Sequence, residues 1–105
     1  MKWIHTADLH CNKTRLKECL EVLCKIKEFI IKKTDKEGPP LLLISGDFWD
    51  STITNTEASG FVDYLRIIKD ISLLTDVYMI YGTPSHEPAG SLYCFELAGV
   101  NVIDK

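Results

Sequence analysis

The chain alternates between two kinds of hydrophobic spacing. Residues 2–7 carry Trp3, Ile4 and Ala7 among β-branched neighbours, the composition of a short strand. From about Thr14 to Lys33 the apolar residues Leu16, Cys19, Leu20, Leu23, Ile26 and Ile30 recur at three-and-four spacing, and Phe29 widens the stripe. Lys17, Glu21, Lys25 and Glu28 fill the opposite face. That pattern predicts an amphipathic helix, with Thr14 as its N-cap and Gly38-Pro39-Pro40 barring its continuation. Leu41-Leu42-Leu43-Ile44 is an unbroken apolar run before Gly46, which predicts a strand buried on both faces.

The loop from Gly46 to Ile53 leads into Thr54-x-x-Glu57, a capping-box pattern for a helix over about 55–72. Phe61, Tyr64, Leu65, Ile68 and Ile71 give that helix its stripe. Residues 77–81 read as a third strand, and a loop with two prolines runs from Gly82 to Gly90. Ser91 is placed to cap a short helix through Ala98, Gly99 to end it, and residues 100–103 to form a fourth strand. Strands alternating with helices imply an α/β fold with a mostly parallel sheet and flanking helices. The 105 residues amount to one domain, 1–105.

Composition narrows the chemistry. The chain is 46% hydrophobic and 26% charged, ordinary for a soluble globular domain, with no apolar run long enough for a membrane span. Its polar start gives no secretory leader, so a cytoplasmic location is expected. The net charge of −3 means that any nucleic-acid contact must come from a local patch or from bound cations. The lysines of 13–36 could form such a patch, although a solvated helix face explains them as well. Cys11, Cys19, Cys24 and Cys94 contain no C-x-x-C pair, so reduced, partly buried thiols are expected. Cys11 beside the first loop is a bystander or a soft extra ligand.

In open α/β sheets, ligands gather at the carboxyl ends of the strands. Three successive strands end in chemistry-bearing residues: Asp8-Leu9-His10, then Gly46-Asp47-Phe48-Trp49-Asp50, then Gly82-Thr83-Pro84-Ser85-His86-Glu87. Each group alone is compatible with turn chemistry. Their joint placement after three strands favours one shared site of carboxylates and imidazoles.

His5-Thr6-Ala7-Asp8-Leu9-His10, Gly46-Asp47-x-x-Asp50 and Gly82…His86-Glu87 together resemble the calcineurin-like metallophosphoesterases, most closely the SbcD-type DNA double-strand-break-repair nucleases, with a phage-type variant fitting the third motif best. The resemblance spans essentially the whole chain. It implies the front half of a two-sheet sandwich and a divalent-metal DNA phosphodiesterase, with Mn²⁺ favoured over Mg²⁺. It further implies Asp8 and His10 as ligands of one metal and Asp47 as the bridge to a second. His86 would serve the leaving group or the scissile phosphate, and Asp50 and Glu87 would orient these residues.

The third motif is two residues longer than the family pattern, and Ser85 stands where an asparagine usually binds the second metal. The family's later histidine motifs fall beyond position 105, so a truncated domain, weakly active or inactive alone, is expected. His5 is read as a hydrogen-bonded structural residue. Half a sandwich would leave an apolar sheet face uncovered, so a homodimer or hetero-complex is expected, with DNA as a further candidate partner. The helix at 55–72, with Phe61, Tyr64 and Leu65, is a second candidate contact surface, although cover for the chain's own sheet explains those residues at least as well. The alternative is a non-catalytic binding protein derived from a nuclease, such as a phage or mobile-element inhibitor of a host nuclease or defence complex.

Overall fold

A computed structural model describes residues 2–12, 14–49, 60–82 and 91–103. The elements run β1 (Trp3–Thr6), α1 (Leu16–Lys33), β2 (Leu41–Ser45), α2 (Phe61–Ser72), β3 (Val77–Ile80), α3 (Tyr93–Leu97) and β4 (Asn101–Ile103). The strands form one parallel sheet in the order β1-β2-β3-β4. Each strand–helix–strand unit steps one place in the same direction. Right-handed crossovers then put all three helices on the same side of the sheet.

Burial follows from that one-sidedness. Register aligns Ile4 with Leu42 and Val77, and Thr6 with Ile44, Met79 and Val102. On this face Leu42, Ile44, Val77 and Met79 are almost fully buried against Leu23 and Ile30 of α1 and Ile68 and Ile71 of α2. The opposite row holds Trp3, His5, Leu41, Leu43, Ser45, Tyr78, Ile80, Asn101 and Ile103. These side chains are half-buried or exposed, and Trp3 retains 50% of its surface. Trp3 and Tyr78 meet across β2 with ring centroids 5.6 Å apart. The apolar run of β2 is therefore buried on one face only, which corrects the two-sided expectation.

The helix ends also differ from the sequence expectations. Thr14 does not cap α1; the Asn12 Oδ1 accepts from the Arg15 amide at 2.8 Å instead. Ser91 does not cap α3, which starts after Leu92 without a side-chain cap. Gly60 is left-handed (φ 72), so α2 begins at Phe61 and does not run unbroken from 55. The Thr54-Glu57 capping box lies outside the described residues. All four cysteines are free; Cys11 and Cys19 are buried, Cys24 is exposed and Cys94 is half-buried. Burial pushes the Cys94 thiol up to about 11. Among the described residues no helix is long and apolar enough to cross a membrane.

Candidate metal centre

The carboxyl ends of β1 and β2 are knitted beyond the strands themselves. The amides of Asp8, His10 and Cys11 donate to the carbonyls of Gly46, Asp47 and Phe48 at 3.1, 3.0 and 2.7 Å. The two motif loops therefore run side by side in fixed register. Phe48 and Trp49, immediately after Asp47, are buried and pack edge-on against Tyr64, with Phe95 beside both. This aromatic cluster anchors the second loop from below.

Asp8, His10 and Asp47 each offer a ligand atom, and these atoms lie within 4.8 Å of one another. Asp8 is exposed, His10 half-buried and Asp47 only 9% exposed. The same three residues are the non-glycine positions in the left-handed region among the described residues, with φ of 53, 50 and 47. Left-handed backbone is unfavourable for L-residues and persists where the surroundings enforce it, often at functional sites. Here the strain falls on the side chains that converge.

Gly82 closes the site from β3. A Cβ at this position would overlap both the amide nitrogen and the Oδ1 of Asp47. The Gly82 backbone thus approaches Asp47 as closely as a backbone can, and only glycine fits. Asp50, Ser85, His86 and Glu87 lie outside the described residues.

His5, one strand position before the loop, pairs its Nε2 with Ser45 Oγ on the uncovered face of the sheet. It sits outside the ligand cluster, in keeping with a structural role. Cys11 is likewise outside the cluster. Two residues to which the sequence pattern assigned no part in the site bear on the first loop. Arg15 Nη1 donates to the carbonyls of Leu9 and His10 at 3.1 and 3.2 Å, and Tyr64 Oη donates to the carbonyl of Asn12 at 2.6 Å. Burial raises the Tyr64 phenol well above its ordinary range, so it stays a donor.

Two carboxylates and one imidazole form a donor set suited to a divalent cation of the Mg²⁺–Mn²⁺ kind, where hard oxygen and borderline nitrogen ligands meet.

No family model matches the chain. Over 87 residues it is 33% identical to the SbcD component of the SbcCD nuclease of Staphylococcus epidermidis, covering 78% of this chain and 22% of that protein. Its fold matches the crystal structure of Pseudomonas putida nuclease MPE with a TM-score of 0.61 at 16% identity, over 98% of this chain and 48% of that one. The chain is thus similar in sequence to part of an SbcD protein and shares the fold of the MPE nuclease over nearly its whole length. It spans about a fifth of the length of the curated relative and about half that of the structural neighbour.

Proposed function

We propose that the chain is part of a metal-dependent DNA phosphodiesterase, with Asp8, His10 and Asp47 as ligands of a divalent cation, Mn²⁺ by preference. The observation that carries this reading is the convergence of those three ligand atoms within 4.8 Å, each on left-handed backbone. When bound, such a cation offsets the phosphodiester charge and acidifies a water for in-line attack. Asp8 and His10 hold the cation from the first loop, and buried Asp47 reaches it from the second. Gly82 keeps Asp47 in place. In this reading His86 donates a proton to the leaving oxygen, Asp50 and Glu87 orient their neighbours, and Ser85 supplies a weaker ligand than an amide oxygen.

Asp8, His10 and Asp47 supply only part of a two-metal donor set, so weak metal affinity and little turnover by these 105 residues alone are expected. The role in this reading is cytoplasmic DNA processing. The uncovered sheet face, with Trp3 half exposed, favours assembly with a partner, either a homodimer or a hetero-complex. The same face supports a second reading, a binding protein derived from a nuclease that retains surfaces and lacks turnover.

Calorimetric titration with Mn²⁺ tests the site. Binding by the wild type that disappears in Asp47→Ala is the expected result, and absence of heat in both would end the metal reading. Cleavage of single- or double-stranded DNA that His86→Ala abolishes would establish turnover; binding without cleavage would leave the second reading ahead. Light scattering tests assembly, where a clean monomer would count against the uncovered-face argument.

A further inference from the structure

Arg15 precedes α1, in the position where its backbone meets the positive end of the helix dipole. Cations are disfavoured there, so an arginine at this place needs another reason to be present. Its guanidinium supplies one. A single nitrogen, Nη1, donates to two consecutive carbonyls, those of Leu9 and His10, at 3.1 and 3.2 Å. In extended chain, successive carbonyls point to opposite sides and cannot share a donor. They converge here because His10 is left-handed, with φ 50. The convergence that Arg15 reads is the same local fold that turns the His10 imidazole toward Asp8 and Asp47.

We infer that Arg15 is a positioning residue of the metal centre, holding His10 in its left-handed conformation by clamping the carbonyls on either side of that turn. This rests on the metal reading of the site. The amide side of the loop is fixed by its ladder to Gly46, Asp47 and Phe48. The carbonyl side is held by side chains: Arg15 at Leu9 and His10, Cys19 Sγ at Leu9 (3.8 Å), and Tyr64 at Asn12. Two converging carbonyl dipoles repel, and a cation between them removes that repulsion. Without it, His10 relaxes toward negative φ and its ring swings away from the two carboxylates.

Arg15 has two further partners. Asn12 Oδ1 accepts from the Arg15 amide at 2.8 Å, and Glu18 Oε1 accepts from Nη2 at 3.3 Å. The Glu18 pair is exposed on both sides and weak, so the clamp does not depend on it.

The test compares wild type with Arg15→Ala, Arg15→Lys and Glu18→Gln in the full chain, by Mn²⁺ calorimetry and by amide exchange of the metal-free proteins. Partners that orient a metal ligand typically contribute about 10- to 100-fold in affinity, and Arg15→Ala should lose that much. Arg15→Lys, which keeps the positive charge, should recover part of it, and Glu18→Gln should bind like wild type. In the metal-free state, exchange at the His10 and Cys11 amides should quicken in Arg15→Ala while the α1 and α2 amides remain protected. Wild-type affinity in Arg15→Ala would overturn the inference. If wild type itself binds no Mn²⁺, the metal reading fails separately, and unchanged exchange at His10 and Cys11 would then overturn the positioning role as well.

Discussion

The two ends of the sheet are built by different rules. At the amino end, Lys2 meets Asp35 in an exposed ion pair of 2.7 Å, and a tight turn joins Asp35 to Gly38. Open clefts of about 300 and 430 Å³ lie there, lined by residues such as Glu37, Pro39, Leu41 and Thr75. Among the described residues at that end, left-handed backbone falls on glycine, and the ionic groups sit at the surface. At the carboxyl end, three non-glycine residues are left-handed, two loops are laddered together, and a carboxylate is 9% exposed. Both ends solve the same problem of closing strand–helix units. Only the carboxyl end accepts strain to do it, and it does so where the ligand atoms meet.

The contrast is sharpest at two glycines. Gly38 needs its freedom for dihedral reasons: φ is +106 and a Cβ would meet nothing within 4 Å. Gly82 needs its size, because a Cβ would run into the Asp47 amide. Gly82→Ala should therefore cost about 3 kcal/mol, the upper part of the overpacking range, because the atom it meets is backbone. It should also abolish Mn²⁺ binding by displacing Asp47. Gly38→Ala should cost about 1 kcal/mol for its unfavourable φ and leave metal binding intact. Urea unfolding and calorimetry on both variants check this. Equal stability losses with equal metal affinity would erase the distinction between the two ends.

A smaller effect separates the carboxyl loop from ordinary surface turns. Tyr64 is fully buried and its hydroxyl reaches the Asn12 carbonyl from α2. Tyr64→Phe leaves that carbonyl without this donor and should cost about 1–2 kcal/mol. Because burial raises the phenol, the loss should be full below the ordinary tyrosine value of 10.0 and fade as pH rises above it, where the unfolded phenol ionises and the folded one does not. A loss that stayed constant above that value would show that the hydroxyl is not the protonated donor described.

Much of this arrangement is legible in the sequence, and the parts that are not share a cause. Helical spacing located α1 and α2, and the β-rich stretches located the four strands, because local periodicity records which face each element buries. Asp8, His10 and Asp47 stood out because each follows a strand, and parallel order carries strand ends to one edge. The one-sided burial of β2 was not legible in its own residues, although the resemblance to half a sandwich implied an uncovered sheet face. Leu41-Leu42-Leu43-Ile44 has the same spelling whether one face or two are covered, and strand order alone decides between them. Caps failed for a related reason: Thr14 has the right chemistry, but the Arg15 amide is satisfied by Asn12, two residues before Thr14 in the chain. Arg15 and Tyr64 were invisible because their partners are backbone carbonyls, which no residue type announces. The one trace of Arg15 is a cation at the wrong end of a helix.

The smallest expected effect belongs to the amino end. The Lys2 ammonium, which donates to Asp35 and lies beside its charge, holds that carboxyl below its ordinary value of 3.8, with the Glu37 amide as a second donor. Reciprocally, Asp35 raises Lys2 above 10.5. A lowered carboxyl contributes stability above its unfolded value and loses it as pH falls through the folded one. A raised ammonium contributes below its unfolded value and loses it as pH rises through the folded one. The two windows overlap from above the ordinary carboxylate range to below the ordinary lysine range, so the pair contributes across neutral pH and fades toward either extreme. Both groups are exposed, and exposed pairs are weak and screened by salt. Lys2→Ala should therefore shift the unfolding midpoint barely beyond error at neutral pH and low salt, and not at all in acid or at high salt. It should leave Mn²⁺ affinity untouched, because the pair sits at the far end of the sheet from Asp47. A metal-affinity change in Lys2→Ala would mean that strain at the carboxyl end is transmitted along β1, and the two ends could no longer be treated as independent.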